Sequence, residues 1–113
     1  MVIEWLKIKV APEMREQYIQ KDAEIWTAFL AECPGFLGKE VWINPEDSTE
    51  VVLVIRWASK ETWKAVPSDR LAAIDQRFAQ ELAGNYPIIE AGEYQVRKFA
   101  QSQSATASTP NSF

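Results

Sequence analysis

The chain has 113 residues, enough for one hydrophobic core and too few for two. Hydrophobic residues make up 47%, charged residues 25%, and the net charge is −4; that balance fits a globular domain and argues against sequence-independent nucleic-acid binding, which rests on Lys and Arg neutralising phosphates. Histidine is absent, which removes the commonest metal ligand, the usual proximal haem ligand and the usual general base near neutral pH.

Chemistry here must therefore come from Glu, Asp, Tyr, Lys, Arg or a bound cofactor. The single cysteine, Cys33, excludes an internal disulfide framework. No apolar run approaches bilayer-spanning length, and the opening MVIEWLKIKV lacks the basic start and small-residue cleavage site of a signal peptide. The expected setting is the cytoplasm, with no membrane and no nucleic-acid partner.

Residues 2–10 alternate, with Val2, Glu4, Leu6, Ile8 and Val10 on one face and Ile3, Trp5, Lys7 and Lys9 on the other. That period predicts a strand. Pro12 suits a first helical turn, and Met14, Tyr18, Ile25, Trp26, Phe29 and Leu30 then recur at helical spacing. The helix is expected to end near Cys33, because Pro34 cannot continue it and Gly35 supplies the turn.

A hairpin follows, with strands over 36–44 and 51–57 and a turn at Pro45-Glu46-Asp47-Ser48-Thr49. Pairing Ile43 with Val51 places Trp42 near Val52, Glu40 near Val54 and Gly38 near Arg56. Phe36, Gly38, Glu40, Trp42, Val52, Val54 and Arg56 then share one face; Leu37, Lys39, Val41, Ile43, Val51, Leu53, Ile55 and Trp57 share the other. Ser59 is a candidate N-cap for a short helix carrying Trp63. Beyond Pro67, Ser68 or Asp69 can cap a second helix with the stripe Leu71, Ile74, Phe78, Leu82, ended by Gly84-Asn85. A last strand is expected over 93–99. The order β-α-β-β-α-β predicts an α+β ferredoxin-like sandwich on an antiparallel sheet. The domain covers 1–99, and the Ser/Thr/Ala-rich run 100–113 is expected to be a tail without regular structure.

With both helices on one face of the sheet, the other needs a cover. It would carry Trp5, Phe36, Trp42, Val52 and Val54 beside Glu40 and Arg56, which can pair diagonally across the hairpin. Leaving such side chains wet forfeits roughly 1.5–3 kcal/mol for each large one. The expectation is a homodimer whose sheets pack face to face, with Trp5, Phe36, Trp42, Val52, Val54 and Arg56 in the interface.

Two features, PGFLG opening the second strand and the block VVLVIRWASKETW, resemble the antibiotic biosynthesis monooxygenase-like family of dimeric α/β barrels, and within it a bacterial branch. The resemblance covers about residues 2–99. It implies a ligand cleft between sheet and helices, and an activity drawn from cofactor-free quinone-forming oxidation or haem degradation. Departures qualify the second. Many members have a His three positions after the helical aromatic, where this chain has Val66. The haem-degrading branch uses a first-strand Asn, a Trp after strand three and a His one helix on; here those regions offer Glu4 or Trp5, Val66, and Gln76 or Arg77. The resemblance therefore implies no haem and no other cofactor.

Glu4 interrupts an apolar face, and a buried carboxylate there could act as base on an activated phenol or enol. The plainer reading, which the sequence favours, pairs Glu4 with Arg97 or Lys98 on the last strand. Arg56 is expected too far along a parallel central strand to reach it. Tyr18, Trp26, Trp63 and Phe78 are candidate ligand-binding residues, although aromatics at helical spacing are more often core. Cys33 is structural, because a helix C-terminus disfavours a thiolate. Glu46, Asp47 and Glu50 lack calcium-loop spacing and read as a solvated turn, so no metal is expected. Two functions follow: a dimer that binds or oxidises a hydrophobic aromatic or quinone-like ligand without cofactor, or a non-catalytic dimeric structural or regulatory module. An open cleft favours the first and a filled one the second.

Overall fold

Alternating β-branched, aromatic and polar residues build four strands: β1 (Val2–Lys9), β2 (Phe36–Asn44), β3 (Asp47–Trp57) and β4 (Ile88–Gln95). They form one antiparallel sheet in the order β2-β3-β1-β4. The computed structural model describes residues 1–100, so most of the tail, 101–113, lies outside the described residues. The first helical segment runs through a 3-10 turn (Pro12–Met14), α1 (Arg15–Lys21), a π-helical stretch (Asp22–Thr27) and α2 (Ala28–Leu30). After the hairpin come α3 (Lys60–Lys64) and α4 (Ser68–Glu81). The architecture is the ferredoxin-like α+β sandwich that the element order predicts.

One face of the sheet packs against the helices. Ile8, Val51 and Leu53 from the sheet join Tyr18, Ile25, Phe78 and Leu82 in one buried cluster, and Ile55 and Trp57 join Phe29 and Leu30 in a second. The hairpin register is the expected one, pairing Ile43 with Val51, Trp42 with Val52, Glu40 with Val54 and Gly38 with Arg56. Ser59 caps α3, its hydroxyl accepting the Thr62 N–H at 3.1 Å. Gly35 holds φ +87°, and a Cβ there would overlap the Thr62 side chain, so this junction of helix end and α3 requires glycine.

Several expectations need correction. The last strand begins at Ile88, not Glu93, because β1 pairs with it from Val2 opposite Gln95 to Ile8 opposite Ile88. The Val96 N–H bonds the Met1 carbonyl, so the ladder stops where β1 begins and Arg97 and Lys98 fall beyond it. β3 begins at Asp47, shortening the turn to Pro45-Glu46, with Asn44 opposite Asp47. β3 also runs antiparallel to β1: Ile55, not Arg56, shares a face with its partner Glu4. A register shift between Phe36 and Gly38 turns Phe36 to the helix side, where its ring meets Trp57 edge-on at 5.9 Å. Pro67, rather than Ser68 or Asp69, occupies the N-cap of α4, without a side-chain cap.

On the open face, Trp5 lies opposite Val54 and Trp42 opposite Val52. The two valines are buried between the larger side chains, while Trp42 keeps 47% of its surface exposed. Arg56 reaches Glu40 at 3.4 Å, the diagonal pair that the register predicts. The Trp42 indole donates to the same carboxylate at 3.1 Å. No helix among the described residues is long and apolar enough to cross a membrane.

Candidate functional site

The π-helical stretch shapes the wall of a cavity. Tyr18, Asp22, Trp26 and Leu30 all line it, a row of four-residue steps along one helical segment. An ideal α-helix drifts ~40° over each such step. The wider i→i+5 turns between Asp22 and Thr27, seen where the Ala28 N–H reaches the Ala23 carbonyl, take up that drift. The four side chains therefore stay in line.

The cavity, about 680 Å³, lies between this wall, α4 and the sheet. That volume is within the range of small-molecule sites. Its floor includes a row across three strands: Glu4 on β1 and Lys39 on β2, both opposite Ile55 on β3. Two strand spacings separate the outer members, ~10 Å between Cα atoms. Trp63 and Val66 lie at one side, and Leu71, Phe78 and Leu82 of the α4 region at another. Tyr18 meets Phe78 edge-on at 5.4 Å and lies tilted against Tyr86 at 5.3 Å. The Lys64 ammonium sits 4.1 Å from the centre of the Trp63 ring.

Glu4 has no cationic partner within ion-pair distance among the described residues; its carboxylate accepts the Trp57 indole N–H at 3.3 Å. Register places Glu93 opposite it on β4, so the expected bridge to Arg97 or Lys98 does not form. Burial pushes the Glu4 carboxyl up from its ordinary range, opposed by the indole hydrogen bond and by the charges of Lys64 and Lys39. A carboxyl raised in this way, at the edge of an apolar cavity, is chemically suited to take up a proton.

The residues that sequence reasoning missed are Asp22 and Lys39. Lys39 Nζ lies 2.6 Å from Asp22 Oδ2, with both side chains 98% buried (2% exposed). The two form an ion pair closed off from solvent. Burial raises the Asp22 carboxyl, and Lys39 pulls it back down. Nearby, burial and then the Asp22 charge hold the Tyr18 phenol well above its usual value. The signal was present in the sequence. Asp22 stands four residues after Tyr18 on the apolar stripe, and Lys39 alternates with Val41 on the core face.

Tyr18, Trp26, Trp63 and Phe78, singled out from the sequence, all line this one cavity with Glu4. Gln76 and Arg77 instead face solvent, Arg77 bonding Glu81 at 3.0 Å. Cys33 is half-buried, its thiol raised first by burial. Glu46, Asp47 and Glu50 do not converge. Asp47 accepts from the Thr49 N–H at 2.9 Å, and Glu50 pairs with Lys7 at 3.7 Å. Among the described residues no acidic or thiol cluster could hold a metal ion.

The chain is an α+β ferredoxin-like sandwich with an aromatic-lined cavity between sheet and helices. The antibiotic biosynthesis monooxygenase profile matches residues 1–82, and the chain belongs to that family. Solved structures share the fold. A monooxygenase of Streptomyces coelicolor, in complex with the ligand nanaomycin D, is 18% identical over 90% of this chain and 92% of its own, with TM-score 0.70. SnoaB, a cofactor-independent oxygenase of Streptomyces nogalater, is 19% identical over 89% and 97%, with TM-score 0.62. The heme-degrader MhuD of Mycobacterium tuberculosis, with two hemes bound in its active site, is 20% identical over 89% and 100%, with TM-score 0.69. No curated protein sequence matches the chain.

Proposed function

We propose that this protein binds a flat, hydrophobic aromatic ligand in the cavity and oxidises it with molecular oxygen, without cofactor. The observation that carries the reading is the 680 Å³ aromatic cavity with the raised Glu4 carboxyl at its floor. Glu4 takes the proton of an activated phenol or of the methylene beside a ring ketone, and the resulting carbanion or enolate supplies electrons to oxygen. For a methylene the balance closes: two hydrogens leave the carbon, one oxygen atom forms the new C=O, and the other departs as water. The cleft, open rather than filled, favours this reading over a non-catalytic module.

Anthrone supplied in air to the purified protein tests it. The expected result is quenching of tryptophan fluorescence, anthraquinone formation and uptake of one oxygen molecule per product, with no flavin or metal added. Quenching without turnover would leave a binding protein; absence of both quenching and turnover would overturn the reading.

The working unit is a homodimer closed through the open sheet face, with Trp5, Trp42, Val52, Val54 and Arg56 at the contact. Trp42, half exposed at the end of a row of buried valines, supports this. Placing glutamate at both Trp5 and Trp42 is expected to convert the dimer to monomer in sedimentation velocity. A wild-type chain that already sediments as a monomer at tens of micromolar would count against the dimer.

A further inference from the structure

We propose that Lys39, held in place by Asp22, is the charge partner of the anion formed when a ligand in the cavity gives up its proton. The proposal rests on the reading of Glu4 as base in an aromatic-binding site, and extends it to the kind of ligand the site selects. Proton transfer breaks the ligand's O–H bond and forms an O–H bond on the Glu4 carboxylate. The electron pair of the broken bond stays on the ligand. The cavity's total charge is unchanged, but the negative charge has moved from Glu4 to the ligand and needs a new counter-charge.

Among the described residues that line the cavity, Lys39 is the only cationic one. It occupies the same cross-strand row as Glu4, opposite the shared partner Ile55 and ~10 Å away. A flat ligand lying along that row has one edge at Glu4 and its far edge toward Lys39. The pair therefore selects a conjugated hydroxy-ketone, in which charge created at the hydroxyl spreads through the rings to a carbonyl oxygen on the other side. An ammonium as buried as that of Lys39, held by Asp22, stabilises that oxygen far more than one in solvent would.

Asp22 acts as a positioning residue. Its carboxylate lies 2.6 Å from the Lys39 ammonium and holds that buried cation at the cavity wall. An ammonium carries three donors, so the contact to one Asp22 oxygen leaves Lys39 donors for a ligand oxygen. The other ionisable groups around the row are Lys64 of α3, whose charge reaches Glu4, Asp75 of α4, and the phenols of Tyr18 and Tyr86. Lys64 is exposed, so its influence is screened.

The test uses alizarin, a dihydroxyanthraquinone whose visible spectrum reports its ionisation. Bound to an excess of the full chain, it is expected to ionise about one pH unit lower than in buffer, a tenfold preference for the anion. In the Asp22→Asn/Lys39→Met double variant, which removes both charges together, the shift should vanish while neutral alizarin still quenches tryptophan fluorescence. Lys39→Arg should retain it, and Lys64→Met should leave it unchanged. An unshifted titration in the wild type, or an equal shift in the double variant, overturns the proposal while leaving the binding reading intact. Failure of alizarin to bind the wild type overturns both. Should the double variant not fold, the wild-type titration and Lys39→Arg decide: loss of the shift in the arginine variant also counts against the assignment.

Discussion

Replacing Lys39 by methionine is expected to cost about 3–5 kcal/mol of stability at neutral pH, because it leaves the Asp22 carboxylate buried without a counter-charge. Urea denaturation across pH checks both size and sign. Burial already raises the Asp22 carboxyl above its unfolded value of 3.8, and removing Lys39 raises it further. A carboxyl raised in the folded state binds its proton more tightly there than in the unfolded chain. The associated stability is fully present below the unfolded value and is lost as pH rises through the folded one. The deficit of Lys39→Met should therefore shrink in acid, toward pH 4. The Asp22→Asn/Lys39→Met double variant should recover most of the loss at pH 7, since a neutral pair carries no such burial cost. A single variant as stable as the wild type at neutral pH would mean that the ion pair is not buried in solution.

Glu4→Gln carries the other large effect, and it falls on turnover. The variant keeps the side-chain shape and can still accept the Trp57 N–H, but it cannot take a proton. Loss of a positioned base is expected to lower kcat for anthrone oxidation by roughly 10²–10⁴-fold, with KM changed only a few-fold. Stability should move the opposite way. Burial raises the Glu4 carboxyl above its unfolded 4.5, so the wild type loses stability as pH rises from that value through the folded one, and glutamine does not. The variant should match the wild type in acid and exceed it at pH 7. Unchanged turnover would remove Glu4 from the chemistry, whatever the stability did.

The parts of this structure that the sequence made legible are those set by strong period. Trp42, Val52 and Val54 alternate against Lys39, Val41, Leu53 and Ile55, so a slip of one residue would invert both faces, and the hairpin register could be read without coordinates. What escaped was set by partners far off in sequence or by local irregularity. The last strand was misplaced because its span follows from the length of β1, not from its own weak pattern, which leaves Ile88 and Ile89 exposed. The bulge before Gly38 turned Phe36 without changing the composition around it. The aromatic lining of the cavity was readable as a stripe, but a stripe alone does not distinguish filled core from open cleft. Asp22 and Lys39 each stood at an apolar position, and only the fold shows that one explains the other.

The π-helical turn between Asp22 and Thr27 also has a genealogical meaning. A wide turn of this kind amounts to one residue added inside an α-helix whose two ends stay docked. Deleting a residue there would wind the segment back to a regular helix and rotate the side chains on one side of it by ~100° relative to the other. Asp22 would then no longer share a wall with Trp26 and Leu30, and Lys39 would face the cavity alone. Loss of the extra residue is therefore expected to go with loss of the lysine charge. Relatives of this chain with an unbroken first helix are expected to carry an uncharged residue where this one has Lys39.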